Sequence, residues 1–409
     1  MESIRRFIGK ALRGAGYQLV KPGDLDRLLA ERKAAANGRQ DFVAPRPFVK
    51  GLPPVELTRV PAVDRPERQG QARRLLDAYK LASSKEPKAL LAREKEDLWT
   101  NLVRRELGEL LDILAADDAS RLASYLLRFG EQYTWFGGLT FALDGYIGSA
   151  SESRSALIYL EKLVCLAEAV GALPIEHPEH GRWGENIYTD VDKVISGIEQ
   201  ELGVSISPPE GAVFVVGIRT DHGVFHYRHL NAIYTAHILS ALVPGAAAVA
   251  EYGGGLGAVA FYARRMGIND YTLFDLPITN IFAGHFLINA LGSNAVTLFG
   301  ETPRNDTVKV MPFWTCRDVA ADAFDLSLNQ DSFPEIDAGL VGLFLKEIRR
   351  TTRALFLSIN HEAQSDMTET EKQLNLSAML KGDVGYRRLS RKKYWLREGY
   401  AEELYRVSK

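Results

Sequence analysis

Cysteine is nearly absent from this sequence. Only Cys165 and Cys316 occur, far apart in a chain of 409 residues. No C-x-x-C pair is present, which argues against a disulfide framework and against a zinc site built from cysteines. This cysteine usage suits a reducing compartment, and we expect a cytoplasmic protein.

Long apolar runs and a strong net charge are also missing. No uninterrupted apolar run is long enough to cross a bilayer, and the N-terminus lacks the apolar core and cleavage site of a signal peptide. The formal net charge is −2, so no strong field favours nucleic acid. A hydrophobic content of 46% and a charged content of 25% are those of a globular protein.

The first 70 residues predict a short helix and a connector. In residues 3–13 the apolar side chains share one helical face and the basic ones lie mostly elsewhere, a pattern that can bind an anionic membrane surface weakly. Packing of this helix on its own protein is the alternative we favour. Residues 41–70 carry six prolines and are expected to drape over a surface as a stiff connector.

Residues 71–207 predict a helical region that covers a substrate site. Apolar side chains recur at helical spacing between Leu107 and Leu114 and between Leu157 and Ala167, and Gly171 is expected to end the second of these helices. The aromatic residues of this region offer faces for sugar stacking, with core packing as the alternative: Tyr133, Trp135, Phe136 and Trp183.

The pattern changes after Pro208 and Pro209. A hairpin is predicted around the turn RTDHG, followed by a helix. From AAAVAEY onward, apolar strands alternate with helices until a terminal hairpin in residues 208–409. Alternation of this kind predicts an α/β fold with a mostly parallel, Rossmann-like sheet, in which ligands bind at the carboxyl ends of the strands.

The stretch AEYGGGLG ends the first of these strands and opens its helix. Four glycines, Gly253, Gly254, Gly255 and Gly257, leave the backbone bare, so a ligand can approach it closely. The stretch also fits the dinucleotide pattern G-x-G-x-x-A, a weak signal by itself. Glu251, two residues earlier, is badly placed for a pyrophosphate but well placed for the ammonium of S-adenosylmethionine (SAM). Pairing of Glu251 with an arginine is the structural alternative.

Two further acids follow later strands. Asp275 ends the second strand, where a carboxylate can accept hydrogen bonds from both ribose hydroxyls of NAD or SAM. Glu301 follows the third strand and is expected near the adenine, with plain solvation as an equal alternative.

The segment from Glu251 to Gly257 resembles motif I of class I SAM-dependent methyltransferases. From roughly residue 155 onward, the chain is similar to the sugar O-methyltransferases related to the enzyme of nanchangmycin biosynthesis, which share a glycine-rich turn followed by a DLP segment. The resemblance implies a seven-stranded sheet and SAM as cofactor. It implies that Gly253, Gly255 and Gly257 contact SAM, with Gly254 and Leu276 in the same segments, and that Glu251 binds the amino acid end and Asp275 the ribose. In this class the helix before the first strand often caps the pocket, which implies Arg228 and Tyr234 at the methionine carboxylate.

The resemblance does not supply a base. The region after the fourth strand contains no histidine, so the catalytic histidine of plant-type O-methyltransferases has no counterpart there. We rank His361, His222 and then Asp331 as candidates, although any one histidine is more often structural. A divalent cation near Asp331 and Asp275 stays open. The pair His177 and His180 lacks further metal ligands.

The sequence therefore predicts SAM-dependent O-methylation of a sugar hydroxyl, on a glycan or a glycosylated natural product. Two other classes stay open: an NAD-dependent oxidoreductase or epimerase, and a non-catalytic scaffold of the same fold. Transfer to nitrogen or to a phenol is a nearer alternative. The expected partner is a sugar acceptor and not nucleic acid, and a homo-oligomer is left open.

Overall fold

The computed structural model describes residues 56–87, 98–131, 139, 152–175, 179, 190–362 and 373–409. The amphipathic segment 3–13, the aromatic residues Tyr133, Trp135, Phe136 and Trp183, and the pair His177 and His180 lie outside these residues. Within the described part, no helix has both the length and the apolar character needed to span a membrane.

Helices dominate the described residues of the first half of the chain. Their apolar repeats face inward, as in the burial of Leu110, Ile113 and Leu114, and local signals set their ends: Asp118 accepts hydrogen bonds from the N–H groups of Ser120 and Arg121. The predicted helices around 107–114 and 157–167 are confirmed. The helices are α1 (Arg68–Lys85), α2 (Leu98–Glu106), α3 (Gly108–Ala115), α4 (Ala119–Leu127), α5 (Glu152–Val170) and α6 (Val191–Leu202).

A small antiparallel sheet joins distant parts of the sequence. The predicted hairpin is present as β2 (Val215–Thr220) and β3 (Gly223–Phe225), and β1 (Leu57–Val60) pairs along β2. Thus a short part of the proline-rich stretch, which we expected to be only a connector, forms a strand. Because β1 and β2 are far apart in the sequence, local pattern could not reveal the pairing.

The main sheet is mostly parallel, as predicted. Its order is β10-β11-β9-β8-β4-β5-β7-β6, and β11 alone runs in the direction opposite to the other strands. The sheet has eight strands and not seven, because the short β6 adds a parallel edge beside β7. The strands are β4 (Ala248–Tyr252), β5 (Asp270–Asp275), β6 (Val296–Leu298), β7 (Val308–Pro312), β8 (Phe324–Gln330), β9 (Thr352–His361), β10 (Tyr386–Lys393) and β11 (Tyr400–Val407).

Helices cover both faces of this sheet, which confirms the Rossmann-like α/β architecture. Alternate side chains of β4 enter two cores: Val249 packs on one face and Ala250 and Tyr252 on the other. The chain turns outward from β4 in both directions, to β5 and to β8, so a crevice opens at the carboxyl ends of these strands. The helices are α7 (Tyr227–Leu242), α8 (Ala258–Arg265), α9 (Pro277–Leu291), α10 (Ala338–Thr351) and α11 (Leu376–Leu380).

The helical region packs directly on the sheet region. Gly284 of α9 faces α1, and a Cβ there would lie 2.5 Å from Leu75, so the glycine permits the close approach of the two helices. Phe129 stacks on Phe282 with ring centroids 4.2 Å apart. One apolar core therefore runs through both regions, across the boundary near residue 208 that the sequence suggests.

Candidate active site

A cavity of about 240 Å³ lies at the carboxyl ends of β5, β4 and β8. The glycine turn after β4 forms its floor, and the segment after β8 forms one wall. Trp99 and Leu139 of the helical region also line it. The predicted site residues that face this cavity are Arg228, Glu251, Gly253, Gly254, Gly255, Asp275, Leu276 and Asp331.

The glycine turn needs its glycines for two reasons. Gly253, Gly255 and Gly257 have φ values of 77°, 55° and 81°, a region that other residues rarely adopt. A Cβ on Gly253 would also lie 2.1 Å from Ser332 Oγ. Gly257 differs from the others: it precedes α8 and faces Leu287, outside the cavity lining, so its predicted contact with SAM has no support in its position.

Asp275 is tied to the glycine turn. Its Oδ2 accepts a hydrogen bond of 2.8 Å from the N–H of Gly255, and its Oδ1 accepts one of 2.7 Å from the N–H of Leu276. Burial raises the pKa of this carboxyl to about 6, although these N–H groups and the Thr279 hydroxyl oppose the rise. Each carboxylate oxygen keeps a second lone pair, so the group can still accept hydrogen bonds from a vicinal diol.

Glu251 lies beneath the same turn with 2% of its surface exposed. Its Oε2 accepts a hydrogen bond of 2.8 Å from the Tyr271 hydroxyl. Burial raises the pKa of Glu251 to about 7, and the nearby charge of Asp275 adds to the rise. No arginine pairs with it among the described residues, so this buried acid is suited to a cationic ligand group.

Asp331 forms a network at the end of β8. Its carboxylate accepts hydrogen bonds from Arg397 and from the Tyr400 hydroxyl, and the Arg397 guanidinium lies over the Tyr400 ring at 4.1 Å. Its backbone is left-handed, with φ of 57°, and its N–H donates to Ile359 O at 3.0 Å. Asp331 therefore faces the cavity in a fixed position, with both carboxylate oxygens already engaged.

Glu335 also faces the cavity, and the sequence reasoning missed it. It ends a short 3-10 turn, Phe333–Glu335, directly after Asp331 and Ser332. Burial and the charge of Asp331 raise the pKa of its carboxyl, while Arg397 and Arg228 oppose the rise. An acid close behind the end of a parallel strand was the signal that could have found it.

Arg228 reaches the cavity from the first turn of α7. The side chain of His226 caps this helix by accepting the Arg228 N–H at 3.1 Å, and the Arg228 Nε donates to the Tyr227 hydroxyl at 3.3 Å. Tyr234, further along α7, does not reach the cavity. It is buried against Tyr394 and donates to Glu402 at 3.4 Å, so the prediction that it binds the methionine carboxylate has no support in its position.

The two histidine candidates lie outside the cavity lining. His361 ends β9 and packs edge-on against Tyr400 with ring centroids 5.6 Å apart; burial lowers its pKa. His222 lies at the tip of the β2–β3 hairpin, where Nδ1 is 3.1 Å from Glu199 and Nε2 is 3.3 Å from Ser196. Neither ring lines the cavity, so the predicted role of these histidines as a base has no support in their positions.

Glu301 is held away from the cavity by a partner that sequence reasoning could not foresee. Both of its carboxylate oxygens accept hydrogen bonds from Arg74 of α1, and Oε2 also accepts the Leu298 N–H at 2.8 Å. This side chain joins α1 to the edge of the sheet and does not line the cavity, so the prediction that Glu301 lies near a bound adenine has no support in its position.

A metal site is not formed by the residues that the structure describes. No group of three or more His, Cys, Asp or Glu side chains among them is arranged to hold a metal ion. Asp275 and Asp331, which we considered together, follow β5 and β8, the neighbours of β4 on opposite sides.

Comparisons with known proteins give structural likenesses only. No family model and no curated protein matches the chain. The chain is similar to the magnesium protoporphyrin IX methyltransferase of Synechocystis PCC 6803, solved with SAM, at 12% identity and a TM-score of 0.33, over 44% of this chain and 82% of that one. It is also similar to a SAM-dependent methyltransferase from Mesorhizobium loti, at 12% identity and a TM-score of 0.30, over 43% of this chain and 97% of that one. The cyclase SpnF is similar at 13% identity and a TM-score of 0.35, over 44% of this chain and 81% of that one. TM-scores this low identify neither a family nor a substrate, so the function rests on the residues of the cavity.

Proposed function

We propose that this protein is a SAM-dependent O-methyltransferase that transfers a methyl group to a sugar hydroxyl. The observation that carries the proposal is the position of Glu251 and Asp275. The buried Glu251 and the partly buried Asp275 flank a glycine turn at the tips of adjacent parallel strands and face one cavity. An acid beneath the turn suits an ammonium and repels a pyrophosphate, so the geometry favours SAM over NAD.

The cavity has complementary surfaces for the two ends of SAM. Asp275 would accept the ribose hydroxyls, and Glu251, with Arg228 close by, would bind the ammonium and carboxylate of the methionine end. An adenine would lie among the apolar side chains at the other end of the cavity, where flat rings stack on a planar base. These apolar residues lie at the carboxyl ends of β5 and β7: Phe274, Leu276 and Phe313.

The chemistry is an in-line displacement at the methyl carbon. SAM supplies the activated methyl group, because its sulfonium sulfur is a good leaving group. The protein has to align the acceptor oxygen, exclude water and accept one proton. The wall formed by Trp99 and Leu139 would enclose the acceptor from the side of the helical region.

A sugar suits the polar half of the cavity. Asn231 and Gln330 line it, and the buried Asn231 Oδ1 has no hydrogen-bond partner among the described residues, so it is available to a donor. Trp99 offers an aromatic face for a sugar ring. We infer a neutral hydroxyl acceptor, on a glycan or glycosylated natural product, because the acids Asp331 and Glu335 are balanced by Arg228 and Arg397 in the same lining, which leaves no excess of either charge.

The test is methyl transfer from SAM labelled in its methyl group. The purified protein is incubated with labelled SAM and panels of neutral sugars and glycosides, phenols and amines, with Gly253→Ala as the inactive control. We expect label in an O-methyl group of a sugar only. Label only in amines or phenols would refute the sugar assignment, and SAM binding without transfer to any panel would favour the scaffold alternative.

A further inference from the structure

We propose that Glu335 is the catalytic base that takes the proton from the acceptor hydroxyl. This role rests on the proposed function and is the one that the sequence left open. Glu335 replaces the histidines, which the structure places outside the cavity lining.

Glu335 lies on the side of the cavity where the methyl group would leave. Strand order places β8 and β5 on opposite sides of β4. If Asp275 at the tip of β5 holds the ribose and Glu251 at β4 holds the methionine end, a group after β8 lies beyond the sulfur. Glu335 belongs to this segment, shortly after Asp331.

The turn that carries Glu335 is fastened to the cofactor floor. The N–H of Glu335 donates to Ser332 O at 3.2 Å. Ser332 Oγ in turn accepts a hydrogen bond of 2.6 Å from Asn329 and donates one of 3.3 Å to Tyr252 O, at the end of β4. The backbone that carries Glu335 is thereby fixed beside the glycine turn, which limits where its carboxylate can lie relative to a bound cofactor.

The Glu335 carboxylate is also available to a substrate. Among the described residues, it has no hydrogen bond and no ion pair. The other acids on this side are engaged, Asp331 by Arg397 and Tyr400 and Glu251 by Tyr271. Glu335 therefore keeps its lone pairs for a donor that arrives with the substrate.

The surroundings of Glu335 also suit a base. The neighbouring charge of Asp331 and burial raise the pKa of Glu335 and so favour its protonated form, while Arg228 and Arg397 keep the ionised form accessible. A carboxylate made more basic than usual accepts a proton from a weakly acidic hydroxyl more readily.

The transfer step needs no reactant besides SAM and the acceptor. A lone pair of the acceptor oxygen forms the new O–C bond to the methyl carbon as the C–S bond breaks, and that electron pair stays on sulfur. The hydroxyl proton passes to the Glu335 carboxylate and later to solvent. The products are the methyl ether and S-adenosylhomocysteine (SAH), and nothing is oxidised or reduced.

The test needs no acceptor. Sinefungin is a SAM analogue in which a protonated amine on carbon replaces the methylated sulfonium, so it carries donors at the transfer site that SAH lacks. Calorimetric titrations of both ligands give a ratio of affinities for the wild type, Glu335→Gln, Asp331→Asn and the exposed control Glu398→Gln. We expect the wild type and Glu398→Gln to prefer sinefungin by about tenfold, because the ammonium of this ligand is attracted by the Glu335 carboxylate across the position of the acceptor oxygen.

In Glu335→Gln this preference for sinefungin should disappear. The affinity of the variant for SAH should equal that of the wild type, and this equality would also show that the turn is intact. Independently of any variant, the wild-type preference should fall at acid pH as the carboxylate takes up a proton. A preference retained in Glu335→Gln, or lost only in Asp331→Asn, overturns the assignment. If neither ligand binds the wild type, the proposed function itself fails. If the wild type binds both ligands equally, only the assignment of Glu335 as the base is overturned.

Discussion

The N–H of Gly255 donates a hydrogen bond of 2.8 Å to Asp275 Oδ2, so the glycine turn after β4 is fastened to the tip of β5. The N–H of Gly253 adds a bond of 2.8 Å to Phe274 O in the same strand. The turn is thus shaped before any ligand arrives. A preformed floor avoids the entropic cost of ordering a loop when the ligand binds.

Replacing Gly253 by alanine should weaken cofactor binding and destabilise the fold. Its φ of 77° is unfavourable for alanine, and the new Cβ would meet Ser332 Oγ. We expect a loss of about 1–3 kcal/mol in the free energy of unfolding. SAH affinity should fall at least about tenfold. Urea denaturation and calorimetric titration measure the two effects.

Gly342→Ala is the matched control for that substitution. Gly342 lies within α10 with open space around its Cα, so alanine should leave SAH affinity unchanged and stabilise the helix slightly. Normal SAH binding by Gly253→Ala would mean that the turn does not form the cofactor floor.

The affinity for SAM should weaken as the pH falls below 7. Burial raises the pKa of Glu251 to about 7, and its carboxyl must be ionised to pair with the ammonium of the ligand. Calorimetric titrations at about pH 8 and pH 6 should show weaker SAM binding at the lower pH. Buffers of different ionisation enthalpy should also reveal that the protein releases a proton when SAM binds at the lower pH. Glu251→Gln should bind SAM weakly at both values, and an unchanged pH profile in this variant would exclude Glu251 as the titrating group.

The same substitution should stabilise the fold at alkaline pH. A carboxyl whose pKa is higher in the folded state than in the unfolded state costs stability as the pH rises from the unfolded value through about 7. Glu251→Gln removes that cost and keeps an acceptor for Tyr271. We expect a gain of about 2 kcal/mol at about pH 8 and almost none at about pH 4, measured by chemical denaturation. A loss of stability at the higher pH would contradict burial as the cause of the raised pKa.

Glu301 should contribute to stability and not to binding. Burial alone would raise its pKa, but hydrogen bonds from Arg74 and the Leu298 N–H lower it overall. The pair of Glu301 and Arg74 therefore stabilises the fold when the pH is above about 4, the pKa of a glutamate in the unfolded chain. This stabilisation is lost as the pH falls further. Glu301→Gln should cost about 1 kcal/mol at neutral pH, since both side chains are partly exposed. SAH affinity should not change; a tenfold loss would restore Glu301 to the cofactor site.

His222 should be dispensable for binding and for transfer. Its ring contacts Glu199 and Ser196 at the tip of the small sheet. His222→Ala should reduce the free energy of unfolding by about 1 kcal/mol or less. Its SAH affinity and its rate of methyl transfer should match the wild type, and a rate reduced tenfold at unchanged SAH affinity would make His222 a candidate base again.

The local part of the fold could be predicted from the sequence. Apolar runs ended by glycine mark β4 and α8, and the same reasoning places Glu251, Gly253 and Asp275 at the carboxyl ends of neighbouring strands. These features depend on residues close together in the chain, where the pattern of hydrophobic side chains is informative.

The misplaced residues depend on contacts with distant parts of the chain. The side chain of Glu301 is bound by Arg74, and the hydroxyl of Tyr234 is bound to Glu402. Strand β2 pairs with β1, which lies far away in the sequence. Glu335 was missed for a different reason: its direction is set by the 3-10 turn after β8, and an acid in such a loop has no periodic signal.

The most direct test of the proposed cofactor site is a calorimetric titration of the wild type with SAM, SAH and NAD. Asp275→Ala and the surface control Asp270→Ala, at the opposite end of β5 and paired with Lys309, are titrated alongside. We expect micromolar binding of SAM and SAH, reduced about 100-fold in Asp275→Ala through the loss of two charge-assisted hydrogen bonds and unchanged in Asp270→Ala. Binding of NAD without SAM or SAH would contradict the methyltransferase assignment and identify the cavity as a dinucleotide site.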